Sequence, residues 1–228
     1  MLARVTWRPH LITTADPTAP PTPILNLRDL GGHPTRAGDV VRRGFVYRSA
    51  DLAGIEPPVV ATALAGLGVR TVYDLRTGPE RRIHPDRGML PDDTRYVIAD
   101  VMRDSPAGSP AHLFRLMADA RGAEAAFGAG QGAAMFEERY REFVTMPSAR
   151  HAFRRLFLGL ADPARAAGLF HCTTGKDRTG WAAAALLLLL DVPEDAVRAD
   201  YLASNAALRA VMIPALERFE AAGGNPAW

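Results

Sequence analysis

Short apolar runs and longer stretches of helical spacing take turns along this chain. Residues 69–75 (VRTVYDL) are the clearest strand, β-branched, apolar and closed by charged residues and Gly78. Residues 95–99 and the buried-type run at 168–171 (GLFH) predict two more strands. Val40-Val41 and Phe45-Val46-Tyr47, around Gly44, predict two short ones, and residues 24–30 run into the turn signal Gly31-Gly32. Helical signals fall between them. Pro57 and Pro58 suit the first turn of a helix carrying Leu64 and Leu67. Met135, Phe136, Tyr140, Phe143 and Val144 recur at helical spacing, as do Phe153, Leu156, Phe157 and Leu160 after Pro147, and these aromatics are expected in the core. The apolar run 181–190 (WAAAALLLLL) predicts a buried helix, too short to cross a bilayer. Pro193 opens a further helix, and residues 205–222 make the last. Few strands separated by helices predict an α/β fold: a small, mostly parallel central sheet flanked by helices.

Two stretches break the pattern. Residues 15–23 are rich in Pro and Thr, so 1–23 reads as an irregular lead-in to a single domain over 1–228. Residues 103–134 are rich in Ser, Pro, Gly and Ala with one short helical face, and read as a mobile, partly helical lid or insertion.

Composition narrows the function. At 48% hydrophobic and 23% charged, the 228 residues are globular rather than disordered. A net charge of +2 without a basic stripe argues against nucleic-acid binding. No signal peptide or membrane span appears, and the single cysteine, Cys172, excludes an intramolecular disulfide and a cysteine-based metal site. A cytoplasmic setting fits best, with export lacking a signal peptide left open, and oligomeric state is not legible. The only lysine, Lys176, lies four positions after that cysteine in a chain that otherwise uses arginine.

Both singletons belong to the run His171-Cys172-Thr173-Thr174-Gly175-Lys176-Asp177-Arg178-Thr179-Gly180, between a predicted strand and a predicted helix. A loop at that junction turns backbone N–H groups and the positive helix end into one hollow, which favours an anion and a thiolate. Arg178 can fork two donors onto an oxyanion. The chemistry implied is attack of Cys172 sulfur on phosphorus, then hydrolysis of a cysteinyl-phosphate. The nucleotide-binding P-loop does not match, because Phe170 and Asp177 stand where it needs Gly and Ser or Thr. A lone cysteine is commonly a small buried hydrophobe, but that leaves the glycine, lysine and arginine beside it unexplained.

The segment resembles the signature loop of the protein tyrosine phosphatase superfamily. Its Lys-Asp before the arginine is most similar to the bacterial tyrosine/phosphoinositide phosphatase branch. Residues 26–32 (NLRDLGG), 69–76 (VRTVYDLR) and 200–205 (DYLASN) resemble further motifs of that branch, although Leu27 stands where Phe is more usual. No Trp-Pro-Asp loop is found. The resemblance implies a cysteine-phosphatase-like fold with no cofactor and no metal. Cys172 would be the nucleophile. Arg178, with the loop from Thr173 through Thr174, Gly175, Lys176 and Asp177, would hold phosphate. His171 would stiffen the loop, Thr179 would donate to the thiolate, and Lys176 would take a second phosphate or a phosphoinositide. Arg28 and Asp29 read as structural. For the general acid, Asp74 at the end of its strand is preferred over Asp177, which is assigned as base or positioning group. The expected substrate is a phosphorylated protein, phosphotyrosine first, or a phosphoinositide. The alternatives are a small-metabolite phosphatase, a phosphate-reading module without turnover and, more distantly, a sulfurtransferase.

Overall fold

The computed structural model describes residues 24–105, 122–124, 131–165, 167–221 and 223–224. The 1–23 lead-in lies outside the described residues, as does most of the 103–134 excursion with its lid reading.

Five strands form one sheet: β1 (Arg28–Asp29), β2 (Val46–Ser49), β3 (Thr71–Asp74), β4 (Arg95–Ile98) and β5 (Gly168–His171). Their order is β1-β2-β5-β3-β4, antiparallel only between β1 and β2. The α/β class and the small, mostly parallel sheet are therefore as expected. Neighbouring residues on a strand face opposite sides, so β3 and β5 feed two cores at once. Tyr73 and Phe170 pack with Phe143, Phe153 and Leu156, whereas Val72 and Leu169 pack with Val60 and Leu64. Helices flank the sheet, among them α1 (Pro57–Gly66), α2 (Gly78–Ile83), α3 (Gln131–Thr145), α4 (Pro147–Leu160), α5 (Asp177–Leu189) and α6 (Glu194–Ala221).

Several expectations change. Of Val40-Val41, Val40 makes only an isolated antiparallel bridge, to Pro34, because the Gly38 and Gly44 turns leave no room for a ladder. Helix α3 begins at Gln131, inside the excursion. The helices expected after Pro193 and over 205–222 are one 28-residue helix, since nothing between Tyr201 and Asn205 breaks it. The apolar run on α5 is buried on one face only: Ala182, Ala183 and Leu187 are enclosed, while Leu189 is 72% exposed. On α3, Phe143 is core, but Phe136 and Val144 are exposed. No helix of the described residues is long and apolar enough to cross a membrane.

All the parallel strands end on one rim. Asp74, His171 and Ser49 are register partners there, and the loop 172–176 leaves from the middle strand, β5. Ligands gather at this rim in open α/β sheets.

Candidate active site

The loop is shaped by what holds its carbonyls. Thr173 O accepts from Asp51 N at 3.1 Å. Asn26 Nδ2 donates to Thr174 O at 3.2 Å and Gly175 O at 3.0 Å, and Arg48 Nη2 donates to Gly175 O at 2.8 Å. With its carbonyls drawn outward, the loop turns its N–H groups toward the hollow, and those of Thr173–Lys176 donate to no backbone carbonyl among the described residues. Gly175 is needed on two counts. Its φ of +67° is left-handed, and a Cβ there would stand 2.3 Å from Ser49 O.

The motifs far from the loop in sequence are its braces. Arg28 and Arg48 converge on Asp200, with Nε–Oδ1 2.7 Å and Nη1–Oδ2 2.6 Å. Ser204 Oγ accepts from Asn26, Arg28 and Arg48. Burial pushes the Arg48 guanidinium down to about 10 and Arg28 adds repulsion, against the pull of Asp200. Asp29 accepts from Gly31 N and Gly44 N and fixes a turn. Arg28 and Asp29 are thus structural. The bulk of Tyr201 explains Gly180, where a Cβ would come within 2.7 Å of its ring.

Arg178 is 4% exposed and held in a fork by Glu80, with Nη1–Oε2 2.9 Å and Nη2–Oε1 2.7 Å. Glu80 also accepts from Thr77 N, Thr77 Oγ1 and Thr173 Oγ1, the last at 2.6 Å. Burial resists its charge, yet Arg178 and these hydroxyls hold its carboxyl down at about 2. Sequence reasoning missed Glu80 and its helix α2, although the signal was legible: Thr77-Gly-Pro-Glu80 is a capping box with Pro in the first turn, and both reciprocal bonds form.

Behind the loop lies a buried ionic cluster. His171 Nδ1 is 3.2 Å from Cys172 O, the backbone contact expected of it. Its Nε2 is 3.2 Å from Asp86 Oδ2 but not aligned for a hydrogen bond. Arg76, fully buried, spans Asp86 at 2.5 Å and Asp74 at 2.7 Å. Asp74, Asp86 and His171 bring ligand-type atoms within 4.8 Å of one another, but the Arg76 guanidinium already occupies both carboxylates. A cation there would have to displace it.

The two acid candidates fall in different places. Asp74 is 0% exposed, accepts three bonds from the Arg76 side chain and takes the Tyr96 hydroxyl at 2.5 Å. Burial opposes its charge, but His171 and Arg76 hold its carboxyl well below the usual range. A carboxylate so committed is fitted to anchor Arg76, which weighs against the preference for Asp74 as acid. Asp177 stands at the mouth of the loop. One of its oxygens takes Lys176 Nζ at 2.6 Å and the Tyr140 hydroxyl at 2.7 Å. Lys176 Nζ also lies 5.9 Å from the Phe136 ring centroid, so this exposed aromatic belongs to the rim of the site. Thr179 Oγ1 is buried without a hydrogen-bond partner, so the bond expected of it is not formed here. Cys172 is 2% exposed at the base of the loop.

Asp100, two residues past β4, is another acidic group that sequence reasoning did not single out. Its Oδ1 is buried and unpartnered, and Arg81 reaches Oδ2 only at 3.5 Å. Burial raises its carboxyl above the usual range, against the charges of Arg81 and Arg178 and the backbone N–H groups of Gly78 and Met102.

The sequence matches the Tyrosine phosphatase family over residues 20–225. It is 34% identical over 211 residues to a Cupriavidus necator protein named for tyrosine-protein phosphatase activity, covering 90% of this chain and 69% of that one. The chain belongs to the tyrosine phosphatase family. Another relative within reach of this phosphatase is the triple specificity protein phosphatase PtpB of Mycobacterium tuberculosis, 32% identical over 79% of this chain and 66% of PtpB. Among solved structures, the core catalytic domain of the PP-IP phosphatase SIW14 from S. cerevisiae aligns over 84% of this chain and 83% of its own. Its 12% identity and TM-score of 0.39 are too loose to bear on mechanism.

Proposed function

We propose that this phosphatase hydrolyses phosphomonoesters on proteins, phosphotyrosine first, through a cysteinyl-phosphate on Cys172. The observation that carries the reading is the anion cradle itself: acceptor-free N–H groups from Thr173 to Lys176 beside an Arg178 already fixed by Glu80. Cys172 Sγ attacks phosphorus, the bond to the leaving oxygen breaks, and that oxygen takes a proton. Asp100 replaces Asp74 as the donor. It has an unpartnered oxygen and a carboxyl that burial favours in the protonated form. Water then attacks the cysteinyl-phosphate, its proton passes to a carboxylate, and sulfur leaves as thiolate. Asp177 is kept as the positioning group, since it fixes Lys176 at the rim.

Substrate breadth follows from Lys176. A compact positive charge beside an exposed aromatic suits a second phosphate, so phosphoserine, phosphothreonine or phosphoinositide turnover is proposed with the tyrosine activity. PtpB, named for triple specificity, supports a broad site.

The purified protein tests this with p-nitrophenyl phosphate, phosphopeptides and phosphoinositides. Cys172→Ser is expected to abolish turnover but leave phosphate bound, and vanadate to inhibit where chelators do not. Activity surviving in that variant would remove the cysteinyl route. Phosphate binding without turnover in the unaltered chain would favour a phosphate-reading module.

A further inference from the structure

Two cavities outside the loop adjoin one another. One of about 320 Å³ is lined by Arg81, Asp100, Arg103, Ser148, His151 and Arg155 among others. The next, about 350 Å³, shares His151 and Arg155 and continues past Arg154 to Asp162 and Arg165. Together they form a groove along α4, whose first cavity is also lined by Ile98 and Ala99 at the end of the edge strand β4 and by Asp100, the proposed acid.

The groove is cationic. Five arginines line it against two aspartates, and in a chain of net charge +2 that is a local concentration of positive charge. Its charges are not all spent internally. Arg165 pairs with Asp162 at 2.9 Å and Arg103 with the exposed Asp104 at 3.3 Å. Arg155 donates to Ile98 O at 3.1 Å, a neutral acceptor, so its charge is unopposed there. Arg154 is exposed and makes no salt bridge among the described residues. From Ser148 to Asp162 the groove follows roughly 20 Å of α4 and the turn beyond it, at about 1.5 Å per residue. An extended chain covers that in about six residues at roughly 3.3 Å each.

We infer that this groove docks an acidic segment of the phosphoprotein substrate, in extended form, next to the residue whose phosphate sits in the loop. The inference rests on the proposed protein phosphatase activity and adds a specificity determinant to it. Charge complementarity and the presence of Asp100 in the lining select the occupant: chain that leaves the site past Asp100 meets the groove there. Exposed arginines act at a distance and are screened by salt, so the contribution falls as ionic strength rises.

The test compares two phosphotyrosine peptides of equal length, one flanked by six Asp or Glu residues and one by six Ser or Gly residues. The proteins are the full chain, Arg154→Glu and Arg103→Glu, with p-nitrophenyl phosphate as a substrate too small to reach the groove. For the unaltered chain at low salt, KM is expected to be about tenfold lower for the acidic peptide with kcat unchanged, an advantage of the size a few exposed charge pairs supply. Each variant should lose most of that advantage and keep its turnover of p-nitrophenyl phosphate, which also shows that it is folded. An equal KM for both peptides, or an advantage untouched by either variant, overturns the docking groove. Phosphoinositide vesicles are assayed alongside, and a loss in the variants confined to them also overturns it, since that would make the groove a lipid surface. If p-nitrophenyl phosphate is not turned over at all, the catalytic reading fails. The groove is then judged by fluorescence anisotropy of the same labelled peptides, where equal affinities for the full chain and Arg154→Glu overturn it.

Discussion

Asp74 and Asp100 sit on the same rim, one at the end of β3 and the other just beyond the end of the adjacent β4. In sequence they look alike: an aspartate closing a short apolar strand. In space they are opposites. Asp74 is enclosed by Arg76 and Tyr96, so its charge is fully answered. Asp100 keeps a buried, unpartnered oxygen near Arg178. Position at a strand end therefore brings a carboxylate to the rim without deciding its role. What decides it is whether a cation has already claimed the oxygens.

The largest way to break this comparison is to neutralise Asp74. Asp74→Asn leaves Arg76 fully buried with less compensation, and a broken buried pair costs about 3–5 kcal/mol. A matching loss of urea stability is expected, with no dependence of the remaining turnover on leaving-group pKa. A stable variant with a strong leaving-group dependence would return the acid role to Asp74.

Acid extends the comparison to other carboxylates. Glu80, like Asp74, has a folded value below its unfolded one. Its stabilisation is complete above about pH 4.5 and is lost as pH falls toward about 2. Roughly 3 kcal/mol is at stake for this 6% exposed group. Asp86 and Asp100 are shifted upward and act in the opposite sense, so they oppose that loss. Urea unfolding at stepped pH should show stability falling through this window, and the fall should be shallower in Glu80→Gln. Parallel curves for the two proteins would remove Glu80 as its source.

Asp100→Asn should leave stability nearly unchanged and slow substrates with poor leaving groups about a hundredfold, roughly 2.7 kcal/mol at the barrier. Good leaving groups should be affected little, and the alkaline limb of the pH–rate profile should flatten. Uniform slowing across leaving groups would make Asp100 a positioning residue instead. The smallest effect is expected from Tyr96→Phe, which removes one hydroxyl from Asp74 and should cost about 1 kcal/mol of stability. Its kcat for p-nitrophenyl phosphate should not move.

Much was legible before any coordinates. The strand at 168–171, the helix that follows and the ten residues between them are contiguous, so local propensity and backbone geometry suffice to forecast a strand–loop–helix cradle around Cys172 and Arg178. Mostly parallel strands follow from helices interposed between short apolar runs. Other features were legible but not read, among them the Thr77–Glu80 capping box. Its reciprocal bonds are local, yet nothing local says that the same carboxylate also grips an arginine 98 positions away. Phe136 was assigned to the core on spacing alone. Spacing gives the face of a helix but not what that face meets, and here part of it meets the rim of the site.

The class of fold and the strand–loop–helix junction that carries Cys172 and Arg178 are readable from the chain alone, because each depends on neighbours within one strand, one loop and one helix. Which carboxylate is spent and which keeps an oxygen without a partner depends on the packed molecule. The packing also decided that Asn26, Arg28, Arg48, Asp200 and Ser204 exist to turn the loop carbonyls outward. The physical reason is that electrostatics acts through distance in space. Ion pairs between residues 98 to 172 positions apart are fixed by how the sheet stacks its elements, and no local pattern encodes that stacking.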